Sequence, residues 1–229
     1  MRKRIFQFCR FTSVVLFIFA LSRTAEAVSM SFSNPGTITI PASGTSGKAD
    51  PYPSTIPVNL PGSIVDLNVT LFGLSHWWPA DLDILLVGPG GQKVILMSDV
   101  LAIHAFPNVT LTFDDSAASP VPLLYITSGT YRPRNIDFFG SDSFPAPAPA
   151  GPFSSVLSVY NGTDPNGDWS LYVFDDSRFL TGSIANGWRL DIETFVEGSE
   201  TAPVPEPSSL ILLGAGLIGL ARWGRLLAQ

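Results

Sequence analysis

The chain has 229 residues and a net charge of −6, and 45% of its residues are hydrophobic. The segment between its two basic ends keeps 6 of the 13 basic residues and 17 of the 19 acidic ones, so its charge is −11. Such an acidic segment excludes nucleic acid as an electrostatic partner. The single cysteine is Cys9, which excludes disulfides and thiolate metal sites from the rest of the chain.

The N-terminal segment, residues 1–27, has the three parts of a secretory signal peptide. Basic residues at positions 2–4 precede an apolar run over residues 14–21, and Ala25 and Ala27 supply the small side chains that a cleavage site requires. The pattern predicts cleavage by signal peptidase after Ala27. An uncleaved anchor is the alternative, although the run is shorter than the ~20 residues that span a bilayer. Either outcome exports the segment that follows.

The middle of the chain carries strand patterns. Over residues 64–71, apolar and polar side chains alternate, which predicts a half-buried strand. Its predicted inner face comprises Val65, Leu67, Val69 and Leu71. Residues 81–87 and 93–97 flank a Gly-Pro-Gly-Gly turn and predict a hairpin. Further strands are predicted over residues 109–113, 169–174 and 188–194, the last with Trp188, Leu190 and Ile192 facing inward.

These strands predict an all-β domain over residues 28–202, an antiparallel β-sandwich or jelly roll. Two segments, residues 43–53 and 144–152, are rich in proline and small residues and are predicted to be surface loops. The second alternates proline with alanine, which favours an extended polyproline conformation.

The C-terminal segment, residues 203–229, is a second targeting segment. Pro205, Glu206 and Pro207 precede an apolar run over residues 210–221, and Arg222 and Arg225 follow it. This order closely resembles the PEP-CTERM sorting signal, which consists of a Pro-Glu-Pro triplet, a transmembrane helix and a basic cluster. The resemblance implies processing by an exosortase, a membrane enzyme of Gram-negative bacteria that make exopolysaccharide. The alternative is a permanent single-span anchor with its arginines in the cytoplasm.

Short motifs in the middle of the chain occur in the order of a known family. They are His-Trp-Trp-Pro-Ala-Asp at residues 76–81, Gly-Pro-Gly-Gly at 88–91, Phe-Asp-Asp at 113–115, Asn-Gly-Asp-Trp at 166–169 and Gly-Trp at 187–188. In combination they resemble the P/Homo B domain of proprotein convertases. The resemblance implies a β jelly roll that accompanies partner domains, often with bound calcium. Residues 100–103 replace the Gly-rich acidic loop that is common in that family.

Four aspartates are candidate calcium ligands, namely Asp81, Asp83, Asp99 and Asp115. Asp81 and Asp83 are two residues apart, so a strand would place their carboxylates on one face about 7 Å apart. Calcium binds roughly six to eight oxygen atoms and would relieve the repulsion within such a cluster. The alternative is that these aspartates are solvated turn and edge residues that discourage aggregation.

No catalytic residue is predicted. The triplet Gly-Thr-Ser at 44–46 resembles the nucleophile motif of subtilases, but Ser46 precedes both histidines, whereas the subtilase serine follows its partners. The histidines, His76 and His104, are too few for a zinc site and are interpreted as structural or surface residues. The stretch between Ala27 and the first loop is also too short for the protease domain that precedes the P domain in convertases.

Four aromatic residues are candidates for sugar binding, namely Trp77, Trp78, Tyr125 and Tyr131. They could stack on sugar rings if folding brings them together. Packing into the core is the interpretation that we favour, because a jelly roll uses the same residue types as buried anchors.

Three functions are consistent with these features. The first, which we favour, is a non-catalytic module at the cell surface or in the extracellular matrix, sorted by an exosortase after transient membrane anchoring. The second is an accessory module classed with serine-type endopeptidases because of the domain that it resembles. The third is a carbohydrate-binding module of the exopolysaccharide matrix.

Overall fold

The computed structural model describes residues 25–41, 43–101, 105–136, 142–178, 180–197 and 212–217. Between Ala25 and Glu197 the described residues are mostly β-strand, with two short 3₁₀ helices at Pro79–Asp81 and Leu157–Tyr160. The prediction of a β domain is therefore confirmed as a mostly β-sheet fold. The jelly-roll connectivity stays a prediction.

The strands form two sheets. In chain order they are β1 (Ala25–Asn34), β2 (Ile38–Ile40), β3 (Gly47–Lys48), β4 (Ser54–Val58), β5 (Ser63–His76), β6 (Leu82–Val87), β7 (Lys93–Met97), β8 (Phe106–Phe113), β9 (Gly129–Tyr131), β10 (Gly167–Asp175), β11 (Gly182–Ile184) and β12 (Trp188–Glu197). The seven-stranded sheet has the order β1-β12-β5-β11-β2, with β8 paired to β5 and β9 paired to β8. The five-stranded sheet has the order β3-β10-β6-β7, with β4 paired to β10. The β8–β9 pair is parallel and the other strand pairs are antiparallel.

One hydrophobic core draws on both sheets. From the larger sheet, β12 buries alternate residues, and its burial pattern confirms the predicted inner face of Trp188, Leu190 and Ile192. From the smaller sheet, Ile84 of β6 and Leu171 of β10 belong to the same cluster of buried residues. Each strand therefore contributes its apolar face to a shared interior, which is the main stabilising term of such a fold.

The predicted hairpin is confirmed. β6 and β7 pair antiparallel, and the Gly91 N–H donates a hydrogen bond of 2.9 Å to the Gly88 carbonyl in the turn between them. One boundary differs from the prediction, because Asp81 ends a 3₁₀ helix and the strand starts at Leu82. Pro79 occupies the start of that helix, where a backbone N–H would make no hydrogen bond within the helix, so proline is tolerated there.

β5 departs from the predicted alternation near its start. Val65 is 43% exposed, whereas Ile64 is buried. The pairing with β12 is irregular here, because Asp66 lies opposite Glu193 but Ile64 lies opposite Thr194, which leaves Val65 in a β-bulge. The prediction is wrong for Val65, because the alternation within β5 does not show that its pairing with β12 contains an extra residue. The other three predicted inner residues are buried.

The segment over residues 144–152 has neither helix nor strand, as predicted, but it does not lie freely on the surface. Phe144 is buried and Phe153 is partly buried, and both pack on a second small cluster that contains Leu85, Ile95 and Tyr172. The two phenylalanine rings meet edge to face with centroids 5.5 Å apart. This segment therefore covers the outer face of the smaller sheet, which explains why β6 is buried on both faces.

The predicted targeting segments lie mostly outside the described residues. Residues 1–24 of the predicted signal peptide are outside them, whereas Ala25–Asn34 forms β1, which pairs with β12. Of the predicted transmembrane segment, residues 212–217 are helical. Among the described residues, no helix has the length and apolar character needed to cross a membrane.

Candidate functional site

Three strands of the smaller sheet bring acidic side chains to one end of that sheet. β6 and β10 are antiparallel, with Leu82 opposite Asp175, and the β6–β7 hairpin sets Met97 opposite Ile84. The residues before β6, after β7 and after β10 therefore lie at the same end. We call this group the acidic cluster, and it comprises Asp81, Asp83, Asp99 and Asp176.

Asp83 is the strongly perturbed member of the acidic cluster. It lies on β6, and the residue is only 4% exposed. Burial, together with the negative charges of Asp142, Asp176 and Asp99, raises the pKa of Asp83 from 3.8 to about 8. A carboxyl group in this environment is mostly protonated at neutral pH unless a cation lies close to it.

The neighbouring carboxyl groups are perturbed in the same direction. Burial and the charges of Asp175 and Asp176 raise the pKa of Asp81 to about 6. Burial and the charge of Asp175 also raise the pKa of Asp176. The Asp176 N–H donates a 3.0 Å hydrogen bond to the Asp81 carbonyl, which holds these two residues together. The acidic cluster therefore carries unrelieved repulsion.

The donor atoms of the acidic cluster suit a hard cation. Calcium prefers carboxylate, carbonyl and hydroxyl oxygens, and the cluster offers these groups. The Ser98 hydroxyl is another oxygen at this end of the sheet. Ser98 is fully buried, and its side chain lies close enough to Asp83 to favour the charged form of the Asp83 carboxyl group. Its hydroxyl makes no hydrogen bond of normal geometry with the described residues. The chemistry of this end of the sheet therefore fits calcium.

The spacing does not reproduce the predicted ligand set. Within the described part of the chain, no three Asp, Glu, His or Cys side chains lie close enough together to hold a metal ion. Asp115 in particular is engaged elsewhere, since its carboxylate accepts hydrogen bonds from the N–H groups of Leu157 and Ser158 at 2.9 and 2.8 Å. Asp115 therefore satisfies the start of the second 3₁₀ helix, and its role as a calcium ligand stays a prediction.

Two acidic residues of this end, Asp175 and Asp176, were not predicted as ligands. The sequence contains a signal for them, because Phe-Asp-Asp-Ser occurs at residues 113–116 and again at 174–177. Each copy follows or ends a strand, β8 in the first case and β10 in the second. Of the two copies, the second contributes to the acidic cluster, because β10 pairs with β6 whereas β8 pairs with β5.

His76 is a buried structural residue, which is one of the two roles predicted for it. Its Nε2 atom lies 3.3 Å from the Asp175 carboxylate, and its Nδ1 atom lies 3.1 Å from the Trp78 nitrogen and 2.8 Å from the Trp78 carbonyl oxygen. Both ring nitrogens are thus in use, and the side chain is fully buried. His104 lies outside the described residues.

The tryptophan turn, which we define as residues 76–78, contributes to the lining of two cavities. The first has a volume of about 660 Å³ and is lined by Trp78, Leu101, Leu124, Asp81, Asp99 and Asp176. The second has a volume of about 370 Å³, and its lining includes Trp77, Ser75, His76 and Thr181. The favoured interpretation of these aromatic residues as core anchors is wrong for Trp77, Trp78 and Tyr125, which are exposed. It is supported for Tyr131, which packs against the core.

Ser46 lies in an exposed turn. Within the described residues, its hydroxyl makes no hydrogen bond to a histidine or a carboxylate, which are the partners that activate a nucleophilic serine. Both ring nitrogens of His76 lie within hydrogen-bond distance of other groups, namely Trp78 and Asp175.

Two solved structures are similar to this chain, both of a serine protease of Aeromonas sobria. The complex of that protease with its chaperone matches with 16% sequence identity and a TM-score of 0.35, covering 76% of this chain and 28% of the other. The protease alone matches with 16% identity and a TM-score of 0.34, covering 74% and 27%. This chain therefore spans little more than a quarter of their length. No curated protein matches the sequence.

The C-terminal segment matches a family model. Residues 203–225 match the PEP-CTERM protein-sorting motif, in agreement with the predicted sorting signal. This stretch contains Pro205, Glu206, Pro207, Arg222 and Arg225. The motif implies export, processing by an exosortase and sorting to the cell surface.

Proposed function

We propose that this protein is a non-catalytic surface module of a Gram-negative bacterium, in which a P/Homo B-like β domain is exported and then released from a transient membrane anchor by an exosortase. The observation that carries this proposal is the match of residues 203–225 to the PEP-CTERM motif. The two prolines of the triplet support the proposal on sequence grounds. Proline has no backbone N–H to donate within a helix, and it favours an extended conformation at the residue before it. An extended segment is accessible to a processing enzyme.

Mass spectrometry of the protein from its exporting host tests this processing. We expect a C-terminus between Pro205 and Pro207, and an N-terminus at Val28 after cleavage by signal peptidase. In a host without exosortase, the same protein should retain the tail. Intact chain ending at Gln229 in a host with an active exosortase would leave a permanent anchor as the explanation.

The main competing function is proteolysis, which the endopeptidase interpretation predicts. The position of Ser46 before both histidines, the reverse of the subtilase order, favours a non-catalytic module instead. We expect the purified chain to leave casein and a peptide library intact. Cleavage that is lost in Ser46→Ala would establish the competing function.

We further propose that calcium binds at the acidic cluster and stabilises the fold. No more than two carboxylates of the acidic cluster would bind the ion, backbone carbonyls and water would supply its other oxygens, and the ion would neutralise charges that repel one another. A ligand that binds only the native state raises its stability by mass action. The melting temperature should therefore rise with calcium and fall when a chelator is added. Magnesium is the matched control, because it requires a smaller and more regular ligand shell.

A further inference from the structure

The two tryptophans of the tryptophan turn are unusually exposed. Trp77 is 65% exposed and Trp78 is 41% exposed, whereas Trp169 and Trp188 are buried in the core. An exposed indole leaves a large apolar surface in water, and neighbouring apolar surface of this kind is typical of binding sites.

The backbone that carries these rings is held firmly. The Trp78 backbone contacts the buried His76 ring on one side, and the Trp78 carbonyl accepts a 3.1 Å hydrogen bond from the Asp81 N–H on the other. Pro79 directly follows and restricts the backbone further. The rings are thus presented on a rigid turn, which lowers the entropy lost when a ligand is bound.

Each of the two cavities combines an indole ring with polar groups. Trp78 lines the first cavity together with Leu124 and the carboxylates of Asp81, Asp99 and Asp176. Trp77 lines the second cavity together with the hydroxyl residues Ser75 and Thr181. Each ring therefore lines a cavity that also contains hydrogen-bond acceptors, and the two consecutive tryptophans line different cavities.

A sugar chain combines the properties that this surface requires. A pyranose ring has an apolar face of C–H groups that packs on an indole, and hydroxyl groups that donate to carboxylate and hydroxyl oxygens. Two cavities lined by consecutive tryptophans suit a polymer of sugar rings better than one isolated sugar. While no cation is bound at the acidic cluster, its carboxylates and the excess of acidic residues disfavour an acidic glycan, because like charges repel.

We propose that the tryptophan turn and its two cavities bind an extended neutral polysaccharide, with one sugar ring packed on Trp77 and another on Trp78. The proposal rests on the proposed surface function only for the presence of polysaccharide around the protein. Its test uses isolated protein, so a failure of sorting and a failure of sugar binding are seen in separate experiments.

Affinity electrophoresis of the protein as isolated from an exporting host tests the proposal. The gels contain a chelator together with a neutral cellulose derivative, β-1,3-glucan, galactomannan, xylan or α-glucan as neutral probes, or alginate as the acidic probe. We expect at least one neutral probe to retard the protein and alginate not to do so. For the neutral probe that binds, the corresponding hexasaccharide should bind at least about tenfold more tightly than the disaccharide, because only the longer chain reaches both cavities.

Variants connect binding to the two rings. Trp77→Ala and Trp78→Ala should each weaken binding by about tenfold or more, and the double variant should abolish it. Phe195→Ala is the matched control, since Phe195 is 43% exposed on β12, away from the cavities. Circular dichroism should show that all variants fold. The proposal is overturned if no neutral probe retards the folded protein, if alginate binds more tightly than every neutral probe, if the double variant binds like wild type, or if disaccharide and hexasaccharide bind equally.

Discussion

Replacing Asp83 by asparagine should stabilise the protein in the absence of calcium. Asp83→Asn removes one negative charge from the acidic cluster while keeping almost the same volume. The pKa of Asp83 is raised from 3.8 to about 8 in the fold, so the folded state binds a proton more tightly than the unfolded state between these values. The stability of the wild type should therefore fall as the pH rises from about 4 to about 8, and then level off.

The structure sets the size of this effect. A rise of about four pKa units, at about 1.4 kcal/mol each, corresponds to an upper limit of roughly 5–6 kcal/mol lost by wild type at pH above 8. For a domain of this size, about 1 kcal/mol shifts the melting temperature by roughly 2–4 °C. We expect Asp83→Asn to melt at least about 5 °C above wild type at pH 8.5 in chelator, and close to wild type at pH 4.

Thermal unfolding followed by circular dichroism, from pH 4 to pH 9 and with either chelator or calcium, measures this difference. Asp168→Asn is the matched control, because Asp168 is exposed on β10 and should leave the pH profile unchanged. With calcium, wild type should gain stability most at high pH, whereas Asp83→Asn should gain little. A wild-type melting temperature in chelator that stays constant between pH 4 and pH 8 would refute the reasoning.

Three further changes test the fold. Trp169→Ala removes a fully buried side chain whose Nε1–H donates to the Pro165 carbonyl at 2.9 Å, and chemical denaturation should show a loss of about 3–5 kcal/mol. Gly187→Ala should prevent stable folding, as judged by soluble yield and melting, because the new Cβ would lie 1.9 Å from a backbone oxygen at a φ of +69°. Gly44→Ala is the comparison, since Gly44 has a φ of +74° but open space around the new Cβ, and it should cost about 1–2 kcal/mol. Val65→Thr should change the free energy of unfolding by less than about 0.5 kcal/mol, because Val65 is exposed at a bulge. The same substitution at the buried Val69 should cost about 1–3 kcal/mol, and equal effects at the two positions would argue against the bulge.

The sequence alone determined features that depend on neighbouring residues. The alternation over residues 188–194 predicted the buried face of β12, and the Gly-Pro-Gly-Gly turn predicted the β6–β7 hairpin, because side-chain period and turn chemistry are local properties. The order of the Pro-Glu-Pro triplet, the apolar run and the two arginines predicted the sorting motif, which the family match supports. These features need no knowledge of what lies opposite in space.

The tertiary structure decided whatever depends on a partner distant in sequence. Val65 is exposed because the pairing of β5 with β12 contains an extra residue, and Asp115 accepts hydrogen bonds from the second 3₁₀ helix, which is distant from it in sequence. The segment over residues 144–152 covers the smaller sheet because Phe144 packs on the apolar cluster on the outer face of that sheet. Trp77 and Trp78 stayed exposed because the buried His76 ring fixes their turn at the rim of two cavities. In each case burial was set by the surface that the fold brings into contact, and a local pattern of residues does not contain that information.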